Sequence, residues 1–132
     1  MRIHFVHFGQ ANLHLKVCKR ALEANLPVPA GLYIPAMATR NAYCRAFAYN
    51  GYDELRRLYI SRQEPSGALQ SNTELHDAIV RGFLLALEVV RERGVPIPGD
   101  SSAYATMLAK IAWDEIERRR PCSSIVPINA RR

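Results

Sequence analysis

A chain of 132 residues with 48% hydrophobic and 23% charged content is sized and balanced for a single folded domain, spanning residues 1–132, with one packed core. No apolar run approaches the ~20 residues of a membrane-spanning helix, and the N-terminus "MRIHFVHFGQ" has no small-residue cleavage site of the signal-peptide kind. Three widely spaced cysteines, Cys18, Cys44 and Cys122, do not form a disulfide framework, so the composition points to a cytoplasmic protein with reduced thiols.

Residues 2–8, "RIHFVHF", alternate with a period of two, Ile3, Phe5 and His7 on one side, and read as a short strand ended by Gly9. A first helix is expected over about 11–25, with Ala11, Leu15, Cys18 and Leu22 forming its apolar stripe. "LPVPAG" stops it, because proline cannot continue a helix. Alanines and Met37 favour a second helix from about 36 to 49, with Pro35 at its start.

Asn50-Gly51, flanked by aromatics, carries the short-range signature of a β-hairpin. The residues that follow contradict it. Tyr52, Leu55 and Tyr59 recur at i, i+3 and i+7, with Leu58 beside them, which is a helical face. With Gly51 as N-cap, Glu54 falls at the third helical position and reaches back in a capping box. Asn50 and Gly51 both tolerate a left-handed backbone, as a helix end requires. The expectation is therefore a joint between two helices.

Pro65 and Gly67 make 62–72 a loop, and Ser71 or Asn72 then caps a long helix over about 73–93. Glu74 and Asp77 near its start and Arg91 and Arg93 near its end complement the helix dipole, and Gly94 fits the position just past its end. Only Glu88 interrupts the apolar run 83–90, so this helix is expected to be surrounded by the others. Ser101 or Ser102 caps a last helix over about 102–120, burying Tyr104, Leu108, Ile111 and Ala112. "SSIVPIN" reads as a second short strand, able to pair with residues 2–8. The fold class is thus mostly α: a compact bundle of about five helices with one or two short terminal β-strands.

Catalytic and cofactor signatures are sparse. His14 and Cys18 lie four residues apart on the first helix, a spacing that lets them share a metal, but two ligands do not make a site. His4 and His7 would face opposite ways on a strand. The chain contains no CxxC, HExxH, GxxxxGK[ST], GxGxxG or GxSxG. No metal, cofactor or catalytic residue is therefore assigned, and an enzyme ranks behind a binding protein.

Charge is more informative. Residues 1–62 hold nine basic and three acidic groups, residues 71–117 four basic and eight acidic, and residues 118–132 five arginines and no acid. One reading packs the basic front beside the acidic middle; the other offers basic surface to a partner. Arg40, Arg45, Arg56, Arg57 and Arg62 gather around the helix joint with Tyr43, Tyr49 and Tyr59, a mixture suited to phosphate pairing and base stacking. The joint suggests a helix-turn-helix, yet Asp53 and Glu54 stand where a recognition helix meets phosphate. "ERRR" at 117–120 complements a helix C-terminus.

Two stretches, "LKVCKRALEA" and "AYCRAFAYNGYDELRRL", resemble a small helical module of bacterial proteins. That module occurs near glyoxalase-related domains and in plasmid or integrative-element proteins, with the pattern K-x-x-x-K-x-L and then A-x-x-L-G-[YF]-x-[ST]-W-x-E-L. In residues 13–60, Ala48-Tyr49 takes the place of Gly-aromatic, Gly51 that of the capping Ser, Tyr52 that of Trp, and Glu54-Leu55 closes the pattern. The resemblance implies a helix end, an aromatic plug and a newly capped helix, and no catalytic residue. It implies an accessory protein of a mobile element, a class that includes conjugation regulators and antagonists of host defence. The combined expectation is a non-enzymatic protein binding nucleic acid or nucleoprotein through the five arginines. The alternative is a protein–protein antagonist or homodimeric regulator using an apolar helix face.

Overall fold

The computed structural model describes Ile3, Phe5, residues 8–60 and residues 72–119. Five helices follow in order: α1 (Phe8–Asn25), α2 (Ala36–Ala46), α3 (Tyr52–Ile60), α4 (Asn72–Glu92) and α5 (Ser101–Arg118). Helix α2 packs on α4, α4 on α5, α5 on α1, and α1 on α2, so four helices close a ring, and the short α3 rests on α2 and α1. No helix among the described residues is long and apolar enough to cross a membrane.

Periodicity explains the core. Ala11, Leu15, Cys18 and Leu22 line α1 and are all buried, as their spacing predicts. Helix α4 contributes Leu75, Ala78, Ile79, Phe83, Ala86, Leu87 and Val90. It is central but not surrounded: Leu85 and Glu88 face outward. On α5, Leu108 and Ala112 are buried, whereas Tyr104 is only partly covered and Ile111 is exposed. The i, i+7 pattern counted Tyr104 and Ile111 as core because each borders the stripe, and the ring of helices covers only its centre.

Close approach of α2 and α4 depends on Gly82. A β-carbon there would stand 3.3 Å from Tyr43 Cδ1 and 3.6 Å from Ala46 Cβ. The missing side chain lets the Tyr43 ring sit against α4, edge-on to Phe83 at 5.6 Å between centroids. Arg81 then donates to the Ala46 carbonyl at 3.1 Å and satisfies one orphan acceptor at the end of α2.

Helix ends carry several corrections. Helix α2 stops at Ala46, three residues before the expected 49. Its end is a Schellman motif, in which Tyr49 N donates to Cys44 O at 3.0 Å and Ala48 N to Arg45 O at 2.9 Å. The left-handed residue is therefore Ala48, at φ 72°, and not Asn50 or Gly51. Tolerance of that conformation by Asn and Gly is local, whereas the 6→1 bond is decided by where the α2 stripe leaves the core. Gly94, at φ 93°, ends α4 by the same device, as the sequence predicts, with Val95 N donating to Val90 O at 3.1 Å. Helix α5 is capped by Asp100, whose carboxylate accepts from Ala103 N at 3.0 Å, rather than by Ser101 or Ser102.

Most of the expected N-terminal strand, residues 2, 4, 6 and 7, lies outside the described residues. Phe8 already belongs to α1, and no strand occurs among the described residues. Ile3 and Phe5 are buried as the alternation predicts, but their partner is the α2–α3 corner. Ile3 N donates to Phe47 O at 3.0 Å and Phe5 N to the Tyr59 hydroxyl at 2.6 Å. Tyr49 spends its single hydroxyl proton on Ile3 O at 2.8 Å, so the 3.1 Å contact between the two tyrosine oxygens has Tyr59 as donor. The described backbone groups of Ile3 and Phe5 thus pair with the Phe47 carbonyl and with the Tyr49 and Tyr59 hydroxyls. The strand expected in "SSIVPIN" and the cap at Ser71 lie outside the described residues.

Candidate functional site

The α2–α3 joint is helical on both sides, so the periodicity of Tyr52, Leu55 and Tyr59 prevails over the hairpin signal of Asn50-Gly51. Its capping is less local than expected. Gly51 O accepts from Leu55 N at 3.2 Å, which makes Gly51 the N-cap residue. The exposed first amide, Tyr52 N, is satisfied by Asn41 Oδ1 at 2.9 Å, from α2. Glu54 reaches back, but to Asn50 N at 2.9 Å and to the Asn50 amide at 3.1 Å, one residue before the capping-box position. A β-carbon at Gly51 would lie 3.2 Å from Asn41 Oδ1, so the close approach of that oxygen uses the missing side chain.

Tyr52 is the plug of this joint. Its ring lies 6.1 Å from that of Phe8, its hydroxyl contacts Asn12 Oδ1 at 3.4 Å, and the Arg40 guanidinium carbon sits 3.7 Å above its centroid. That Arg40–Tyr52 stack is a cation–π contact worth about 0.5–2 kcal/mol.

The five nominated arginines separate. Arg40 is partly buried on Tyr52, and its Nε is buried with no hydrogen-bond partner among the described residues. Arg45, Arg56 and Arg57 are exposed. Arg57 also lies 4.0 Å from Glu54, a distance at which an exposed pair contributes little. Arg62 lies outside the described residues. Arg45 and Arg57 flank a shallow depression with Asn41, Tyr52, Asp53 and Glu54. The helix thus begins with carboxylates, as the sequence shows, and Glu54 is held by capping.

Sequence reading missed a second group of cations. Lys16 and Lys19 on α1 converge with Arg40 on a cleft of about 430 Å³ between α1 and α2, which Asn12, Met37, Tyr43 and Tyr52 help to line. Tyr52 also borders the depression of Arg45 and Arg57, so the two basic features adjoin across its ring. The i, i+3 spacing of the two lysines was visible in the sequence, but nothing local brings them to Arg40. Tyr43 and Tyr49, read as aromatics of a binding surface, are instead buried at 1% and 2% exposure.

Charge pairs elsewhere run along single helices. Lys19 meets Glu23 at 3.7 Å, Arg91 meets Glu88 at 2.8 Å, and Lys110 meets Asp114 at 3.5 Å. Glu115 bonds both Arg118 and Arg119, and those bonds hold its carboxyl below the usual range.

Among the described residues no group of three His, Cys, Asp or Glu could hold a metal ion. His14 is buried, with Nδ1 2.9 Å from Gln10 O and its ring edge-on to Phe5. Cys18 and Cys44 are buried free thiols, both pushed up to about 12 by burial, with Arg40 and Arg45 opposing the rise at Cys44. Thiols so raised are poor nucleophiles.

Comparison with protein-family models, with curated proteins and with solved structures gives no match for this chain.

Proposed function

We propose that this is a non-enzymatic binding protein whose basic surface on α1–α3 takes a nucleic acid or nucleoprotein. One observation carries the reading: cations from three helices adjoin around Tyr52, with Lys16, Lys19 and Arg40 on one side and Arg45 and Arg57 on the other. Arg45 and Arg56 are exposed and make no ion pair among the described residues, so their charge is available to phosphates. Asp53 and Glu54 at the start of α3 disfavour insertion of that helix into a groove, and the surface suits backbone contact better than base reading. The resemblance of residues 13–60 adds an accessory protein of a mobile element as its setting.

Fluorescence anisotropy with labelled single-stranded and duplex oligonucleotides, over a series of salt concentrations, tests the reading. Binding should weaken steeply with salt. Replacing Arg56 and Arg57 together by Ala should lower the log–log salt slope by about 2, roughly one per lost phosphate contact. Salt-independent binding, or an unchanged slope in the double variant, refutes it. A second reading, a protein partner, is favoured by Met107 and Ile111, which stand exposed one turn apart on α5. Binding abolished by Met107→Ser with Ile111→Ser, and untouched by the arginine changes, selects that reading.

A further inference from the structure

Two hydrogen-bond donors are left over at the α1–α2 cleft. The Tyr43 hydroxyl and Arg40 Nε are both buried and have no partner among the described residues, and both side chains line the same cavity. A buried polar group without a partner loses its hydration with nothing in return, so native structures rarely keep one without a reason. Arg40 Nε can only donate, and the Tyr43 hydroxyl has a proton to give. The cleft is lined by the cations Lys16, Lys19 and Arg40 and by no carboxylate, the nearby Glu23, which pairs with Lys19 at 3.7 Å and acts electrostatically on Tyr43, being outnumbered by them. The missing partner is therefore rich in acceptors and negatively charged.

A third element points the same way. Helix α2 begins at Ala36 after Pro35, which supplies no side-chain cap, and Ala36 and Met37 form part of the cleft wall. The first amides of an uncapped helix favour an anion through hydrogen bonds and the dipole. Leu15, Ala36 and Met37 add an apolar wall, and about 430 Å³ is much larger than a bare oxyanion requires.

We propose that the α1–α2 cleft binds a phosphomonoester of nucleotide size, its phosphate held by Lys16, Lys19, Arg40 and the Tyr43 hydroxyl. Arg40, fixed by its stack on Tyr52, presents a planar set of donors to the phosphate oxygens, as a lysine would not. The site shares Lys16, Lys19 and Arg40 with the proposed nucleic-acid surface but does not use Arg45, Arg56 and Arg57, so replacing those three separates the two readings.

The ligand class has two sources, a free nucleotide and the 5′-phosphate at the end of a strand. Isothermal titration calorimetry on the full chain separates them, using adenosine 5′-monophosphate, adenosine, inorganic phosphate, and one oligonucleotide with a 5′-phosphate or a 5′-hydroxyl. The nucleotide or the phosphorylated strand should bind better than its phosphate-free counterpart, and inorganic phosphate more weakly than the ester. Tyr43→Phe should weaken the ester by roughly tenfold or more, the usual effect of a lost hydrogen bond to a charged group. The same variant should melt at the same temperature as the parent or above it, because the orphan hydroxyl is gone. Lys16→Gln with Lys19→Gln should weaken binding as well, and these exposed positions leave the core untouched. Arg45→Ala with Arg56→Ala and Arg57→Ala should bind the ester like the parent even if it no longer binds polymer. The proposal is overturned if neither phosphate ester binds, or if Tyr43→Phe binds as the parent does. It is also overturned if Tyr43→Phe lowers the melting temperature of the free protein, since the hydroxyl then has a partner of its own.

Discussion

Replacing Ala48 by Gly should stabilise the protein. Ala48 is the one non-glycine residue at positive φ among the described residues, at 72°, and it occupies the C′ position of α2. An L-residue with a β-carbon in this region costs roughly 1–2 kcal/mol. Glycine removes that cost but adds about 0.5–1 kcal/mol of chain entropy lost on folding. The Ala48 side chain is exposed, so no packing is lost to offset the gain. The net expectation is a stabilisation of about 0.5–1 kcal/mol, or about 2–4 °C in melting temperature for a domain of this size. Differential scanning calorimetry of Ala48→Gly, with Ala48→Val as the opposite control, measures it. Valine, branched at Cβ, should lower the melting temperature. A Gly variant that melts lower than the parent, or a Val variant that melts with it, would show that the α2 end is not left-handed at Ala48. The corner that sets the arginines around Tyr52 would then be wrong.

Other changes test the same packing. Tyr59→Phe removes the acceptor of Phe5 N and should cost about 1–3 kcal/mol in urea unfolding, whereas Tyr33→Phe, on an exposed ring, should cost almost nothing. Gly82→Leu should destabilise by about 1–3 kcal/mol or more, because its side chain must displace the Tyr43 ring. Cys18 and Cys44 should resist a thiol reagent in the native state, as peptide mapping after labelling will show. Their folded pKa values lie above the unfolded value near 9, so the neutral thiols support folding below that pH. That support is lost as pH rises from about 9 towards 12, and Cys18→Ala should flatten the alkaline decline.

Legibility in the sequence followed the range of the interaction. Helix α1 could be read because Ala11, Leu15, Cys18 and Leu22 share a stripe. The end of α4 could be read because Gly94 is nearly diagnostic of a helix end. At the joint, three helical repeats after Gly51 outweighed one turn dipeptide. Hidden features depend on residues far apart in the chain. Asn41 caps α3 from eleven residues upstream of Tyr52, and that bond makes a capping Ser at position 51 unnecessary. Ile3 and Phe5 are buried as their alternation suggests, but their bonds to Phe47, Tyr49 and Tyr59 join residues far apart in the chain and leave no trace in a period of two. Arginines near the joint were identifiable as a cluster. Their division into a stacked Arg40 and the exposed Arg45, Arg56 and Arg57 depends on which of them packs on the Tyr52 ring. Lys16 and Lys19 joined the site only when α1 packed on α2.

Chemical-shift mapping on the labelled protein, titrated with an oligonucleotide at low salt, tests the binding surface most directly. Perturbed amides are expected around Lys16 and Lys19, from Arg40 to Arg45, and from Gly51 to Arg57, and they should return to their free positions as salt is added. Shifts confined to the α4–α5 side, around Leu85, Met107 and Ile111, or no shifts at all, would contradict it.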